Sequence, residues 1–144
     1  MKTRRRYLAL SKNLLSLFAF KTVSDAAGNT FVLPAAFDET NLTDETIADK
    51  TAFEAVETHM HLLDNLSKRE CAELEGLADT LGHTLLSRLN AQYPDRDFLV
   101  YVTLSHDGMI ARFHQHWSGE PPYYDAATDA KGEKTFVFST PKPF

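Results

Sequence analysis

The run from Phe98 to Trp117 constrains the fold more than any other stretch of the chain. Phe98-Leu-Val-Tyr-Val-Thr-Leu104 and Met109-Ile-Ala-Arg-Phe-His-Gln-His-Trp117 flank Ser105-His106-Asp107-Gly108. Asp-Gly favours a two-residue hairpin turn, because both central positions take positive φ. A turn centred on Asp107-Gly108 pairs His106 with Met109. It then pairs Leu104 with Ala111, Val102 with Phe113, Val100 with Gln115 and Phe98 with Trp117. The opposite face carries Thr103 with Arg112, Tyr101 with His114 and Leu99 with His116. Side chains alternate between the two faces of a strand, so this register gathers the apolar residues on one side.

The rest of the chain is read around that hairpin. Residues 7–20 read as a helix whose Leu8, Leu14, Leu15 and Phe18 face the core. Asp25 to Asn29 is a turn cluster between two β-like runs, 21–24 and 30–33. A second helix is expected at about 44–64, with Ile47, Phe53, Val56, Met60 and Leu63 at three-to-four spacing and Thr43 or Asn41 as N-cap. A third is expected at about 68–92. Ser67-Lys-Arg-Glu70 is a capping-box pattern at its start, and Leu74, Leu77, Ala78, Leu81, Leu85 and Leu89 form its buried stripe. Residues 123–134 read as loop and 135–139 as a last strand. Helices first and a small antiparallel sheet late give an α+β fold. Its 144 residues are expected to form a single domain, with a basic N-terminal segment at residues 1–21.

Charge is distributed unevenly. Residues 1–21 hold six Lys/Arg and no Asp or Glu, whereas residues 38–80 hold twelve Asp/Glu against Lys50, Lys68 and Arg69. Such an acidic middle repels nucleic acid and attracts a basic protein. The start, MKTRRR followed by YLALSKNLLSLFAF, has the basic opening of a secretory leader. Ser11, Lys12 and Asn13 interrupt its apolar part and no clear small-x-small cleavage site follows, so an amphipathic helix is the reading preferred here. The single cysteine, Cys71, rules out an intrachain disulfide and fits a reducing cytoplasm. No apolar run approaches the ~20 residues needed to span a bilayer.

Catalytic signals are sparse. His114 and His116 form an H-x-H pair on a strand, with His106 in the turn before them. Two imidazoles at that spacing can converge on one ion, but no third ligand is marked and Arg112 disfavours a cation. His59 and His61, if helical, lie on nearly opposite sides. A nuclease using His114 or His116 with Arg112 can be drawn, and the acidic middle opposes it. Cys71 falls in the first turn of a helix, flanked by Glu70 and Glu73, and is expected to be structural. No phosphate-binding loop, dinucleotide fingerprint, serine-hydrolase elbow or zinc-protease motif occurs.

Residues 112–122, Arg-Phe-His-Gln-His-Trp-Ser-Gly-Glu-Pro-Pro, carry a resemblance. This stretch resembles small bacterial immunity proteins of polymorphic-toxin and contact-dependent growth inhibition systems. In those, a strand ending in Phe-His is followed by a short spacer and Gly-Glu-Pro, with helices before it and a strand after. The resemblance covers residues 98–139 and rests on Phe113, His114, Gly119, Glu120 and Pro121. It implies a stand-alone cytoplasmic inhibitor, not an enzyme, that neutralises one cognate toxin, commonly a nuclease.

Combined with the charge pattern, this gives a set of expected partner-binding residues. They are Asp44, Glu45, Asp49, Glu54, Glu57, Asp64 and Glu120, with Tyr123, Tyr124 and Trp117 as apolar anchors. No cofactor, resident metal, nucleic acid or membrane is expected as a partner. The alternative is a metal-binding or hydrolytic α+β enzyme centred on His106, His114 and His116. A third reading is an accessory protein that uses the basic N-terminal arm on nucleic acid or membrane.

Overall fold

A computed structural model of the chain describes residues 2–42, 45–124, 128–130 and 132–141. Its centre is the expected hairpin, β4 (Phe98–Ser105) and β5 (Gly108–Gln115). The turn, however, is His106-Asp107, so Ser105 pairs with Gly108, Leu104 with Met109 and Val100 with Phe113. The register lies two residues from the one that an Asp-Gly turn dictates. A shift of two preserves face parity, so Phe98, Val100, Val102 and Leu104 still share a face with Met109, Ala111 and Phe113.

Gly108 is used for space rather than for the turn. It opens β5 at φ +137°, and a Cβ there would lie 1.9 Å from the Leu63 carbonyl oxygen. That close approach sits where β3 (Met60–Asp64) pairs with β5.

On the other side β7 (Glu133–Ser139) pairs with β4, and β6 (Thr128–Ala130) pairs with β7. The result is a five-stranded antiparallel sheet in the order β3-β5-β4-β7-β6. β6 falls within the stretch expected to be loop. A separate two-stranded sheet is formed by β1 (Phe20–Ser24) and β2 (Thr30–Pro34). The fold is α+β, as the element order in the sequence indicates.

The core face of the large sheet packs against α4 (Glu75–Gln92), whose Ala78, Leu81, Leu85 and Leu89 are buried. Burying each such leucine is worth about 1.5–3 kcal/mol. Leu77, expected in that stripe, is instead exposed. The single helix expected at 68–92 is two. α3 (Lys68–Glu73) begins with the full Ser67/Glu70 capping box and ends at Leu74, where α4 starts. Gly76, a poor helix former, lies just past this break.

The helix expected at 44–64 changes type midway. α2 covers only Lys50–Glu57, and Met60–Asp64 is strand. Thr58, Met60 and Leu62 turn inward while His59 and His61 stay exposed, a period of two that the longer helical reading conceals. His59 and His61 therefore share a side, with rings 5.5 Å apart, and do not oppose one another. Val56, expected in the core, is 47% exposed, and Glu54 is fully buried.

α1 (Lys2–Leu17) lies against the outer edge of β3. Asn13 Nδ2 donates to the carbonyls of His61 (3.1 Å) and Leu62 (3.4 Å), and Arg6 reaches Glu70 at 2.8 Å. Backbone groups of an edge strand that would otherwise be open are thereby covered. Leu10, Leu14 and Phe18 pack on the core, whereas Leu8 and Leu15, expected there, face outward.

The β1–β2 hairpin has its own small core of Val23, Phe31, Leu33 and Leu42, against which Ile47, Phe53 and Trp117 pack. Its turn is organised by Asp25, which accepts from the backbone N–H groups of Ala27, Asn29 and Ile47. Val32, between Phe31 and Leu33, joins the main core and ties the two clusters together.

Candidate functional site

β3 pairs with β5 only as far as Ala111. Beyond it, side chains of α2 and of its C-cap Thr58 take over the exposed edge of β5. Thr58 Oγ1 accepts from Phe113 N–H (2.9 Å) and donates to Phe113 O (2.7 Å). Glu54 then accepts from Gln115 N–H (2.8 Å) and Gln115 Nε2 (2.8 Å), Val32 N–H (2.9 Å) and Trp117 Nε1 (2.6 Å). All four partners are donors, which suits an ionised carboxylate. Burial pushes the Glu54 carboxyl up from its ordinary range, and these four hydrogen bonds oppose that rise. Arg96 extends the network, donating to Gln115 Oε1 and Thr30 O at 3.0 Å each.

With its C-terminal end fixed in this way, α2 points its N-terminus at the segment after β5. Asp49 is the N-cap, accepting from Ala52 N–H at 2.9 Å. Glu120 supplies a second carboxylate at the same positive helix end. It accepts from Thr51 N–H (2.7 Å) and Lys50 N–H (3.3 Å), and Lys50 Nζ lies 3.2 Å away. Burial alone would raise the Glu120 pKa. The bonds from Thr51 and Lys50 outweigh it and hold the carboxyl below its ordinary value.

Gly119, at φ +81°, turns the chain so that Glu120 can reach back to the helix. Between α2 and this segment lies an open groove of about 560 Å³, lined by Asp49, Thr51, Glu120, Pro121, Pro122 and Tyr123.

One wall of the groove continues as an aromatic-cationic stack. The Arg112 guanidinium lies 5.0 Å from the Tyr123 ring centre and 5.9 Å from that of Tyr124, and donates to Ala55 O at 3.3 Å. Tyr124 stands edge-on to Tyr101 at 5.0 Å. His114 lies beneath and is buried. Its Nδ1 is 2.7 Å from Gln115 O, and its Nε2 meets Tyr101 Oη at 3.0 Å and Tyr123 N–H at 3.3 Å. Donation from Nδ1 to the carbonyl leaves Nε2 as the acceptor, so the neutral ring fits this site. Burial correspondingly lowers its pKa.

The structure brings together three of the expected partner-binding residues, Asp49, Glu120 and Tyr123, with Tyr124 beside them. Glu45, Glu57 and Asp64 are exposed but lie outside the groove. Asp44 lies outside the described residues. Glu54 and Trp117, expected to face a partner, are engaged with each other instead. The former is an internal hydrogen-bond hub and offers no surface charge, and the latter turns its indole N–H inward to it.

His106, His114 and His116 do not converge. His106 is exposed in the turn at one end of β5, His114 is buried near the other end, and His116 is exposed beyond it. Among the described residues, no three His, Cys, Asp or Glu side chains are grouped so as to hold a metal ion.

Sequence reasoning missed Gln115 and Thr58 as partners of α2. Neither carries a local signal, because residues 44–64 read as one helix and the boundary at Thr58 emerges only in the structure. No protein-family model, curated protein or solved structure matches the chain.

Proposed function

We propose that this protein is an immunity protein, a non-catalytic inhibitor that binds one cognate basic toxin domain, most simply a nuclease. The observation that carries the reading is the groove in which Asp49 and Glu120 stand beside Tyr123. It sits on the Gly-Glu-Pro segment on which the family resemblance rests. Arg112 and Lys50 already engage Tyr123 and Glu120 from within the chain, so the groove offers a partner the exposed edge of Tyr123 and the two prolines, while the exposed Glu45, Glu57 and Asp64 favour the approach of a basic surface.

Tyr123 acts as the desolvated anchor, and the more remote carboxylates govern encounter rate. Expected partners include neither nucleic acid nor a cofactor, and the expected site of action is the cytoplasm. Among the described residues, no helix is long and apolar enough to cross a membrane.

The test is co-expression with the toxin domain encoded beside this chain. Rescue of growth, together with a one-to-one complex in solution, is the expected result. A neighbouring toxin that neither binds nor is neutralised removes the proposal.

A further inference from the structure

α1 has two faces. Leu10, Leu14 and Leu17 pack inward, while Asn13 and Arg6 hold β3 and α3. The opposite face presents Arg4, Arg5, Leu8, Lys12 and Leu15 to solvent, with Tyr7 at its border. Leu8 is 63% exposed and Leu15 78%, whereas the leucines of the other face are half-buried or buried. At 3.6 residues per turn, Arg4, Leu8, Lys12 and Leu15 form one stripe along the helix.

Charge on this stripe runs against the local rule. The N-terminal end of a helix is positive, and cations there are unfavourable. Yet Arg4 and Arg5 lie in the first turns, and no Asp or Glu precedes Asp25 in the chain. The nearby acids on α3 are engaged, Glu70 by Arg6 at 2.8 Å and Glu73 by Arg69 at 3.0 Å, and the exposed Asp64 lies on the β3 side in a groove with Arg5, away from Arg4 and Lys12. A surface that concentrates positive potential and keeps two leucines in water matches a partner that is both anionic and apolar.

We propose that this face of α1 rests on a bilayer surface containing anionic lipid. Arg4, Arg5 and Lys12 meet headgroup phosphates, and Leu8 and Leu15 enter the boundary with the acyl chains. The contact is lateral, with the helix lying on the surface rather than crossing it. A nucleic acid would satisfy the cations but leave both leucines in water, so the leucines favour lipid.

The experiment is flotation of the full chain with vesicles of phosphatidylcholine alone, or of phosphatidylcholine with about one-third phosphatidylglycerol, at low and high salt. Flotation is expected with the anionic vesicles only, and is expected to be lost at high salt. The double variants Leu8→Gln/Leu15→Gln and Arg4→Glu/Arg5→Glu should each weaken it about tenfold or more. Their thermal unfolding should match the parent, because these four side chains face solvent. Failure to float with either vesicle, or flotation that ignores both double variants, overturns the proposal. Binding to a single-stranded oligonucleotide that needs the arginines and not the leucines also overturns it and assigns the face to nucleic acid.

Discussion

The Glu54 carboxylate accepts the indole N–H of Trp117 at 2.6 Å, linking α2 to the segment that leaves β5. Three further donors, from Val32 and Gln115, fill the remaining acceptor positions of the same carboxylate. Glu54→Gln would place an amide NH₂ against N–H donors. It should destabilise the fold by about 3 kcal/mol or more, since buried donors are left without acceptors. Trp117→Phe removes one charge-assisted bond and should cost about 1.5–3 kcal/mol. Urea unfolding of both variants checks the order. A Glu54→Gln variant as stable as the parent would show that the carboxyl is protonated in the folded protein.

His114 gives stability a pH dependence. Its folded pKa lies below the ordinary 6.5 because the ring is buried. The unfolded chain therefore binds more protons as pH falls below about 6.5, and stability is lost through that window at up to about 1.4 kcal/mol per pH unit. Glu54, raised by burial, acts in the opposite sense above its ordinary value of 4.5. The clean measurement is the difference between parent and His114→Gln in urea midpoint from pH 7.5 to about 5.5. The parent should lose more stability, and parallel curves would refute the assignment.

Gly108→Ala should be among the most damaging single methyl additions to this chain. The new Cβ meets the backbone oxygen of Leu63 at 1.9 Å, on a residue already at φ +137°. Backbone cannot yield as a flexible side chain can, so a loss of about 3 kcal/mol and loosening of β3 from β5 are expected. Hydrogen exchange at β3 amides, compared with those of β7, reads this out.

Glu120→Ala should loosen the groove without unfolding the protein. It removes two backbone hydrogen bonds at the α2 N-terminus and the contact with Lys50. A loss of about 1–2 kcal/mol is expected, as for other helix caps. The lowered Glu120 pKa adds a second signature, because its contribution is present above the ordinary carboxyl pKa and lost as pH falls through the folded value. Acid unfolding of the variant should accordingly be shallower than that of the parent.

If the immunity reading holds, Glu57→Lys combined with Asp64→Lys should slow association with the toxin about tenfold and flatten its salt dependence. Tyr123→Ala should act mainly on dissociation. Stopped-flow binding at two salt concentrations separates these effects. Unchanged kinetics in the charge variant would remove steering while leaving inhibition intact.

The strand signals of Phe98–Ser105, the capping box at Ser67 and the leucine stripe of α4 were legible because each expresses one period or one local bond. The hairpin register was not, because Asp107-Gly108 has two uses. The glycine was needed for clearance against Leu63, a residue remote in sequence. The α2-to-β3 boundary was hidden because Met60 fits both patterns, pairing with Leu63 at helical spacing and with Leu62 in an alternating one. Glu54 was read as surface charge because a carboxylate in a helix is normally solvated. Its burial depends on donors from Val32, Gln115 and Trp117, which no local pattern announces. In the groove, Glu120 and Tyr123 were reached through the Gly-Glu-Pro segment, but their meeting with Asp49 is a matter of tertiary packing.

Asn13 caps two carbonyls on the flank of β3, and Arg6 reaches a third, that of Asp64. A shortened chain starting after Leu17 would keep most of its core yet bare a ribbon ready to zip onto its own copies. Such a truncation also uncovers the core that Leu10, Leu14 and Leu17 seal, so α1 serves at once as a lid on that core and as a guard rail on the strand.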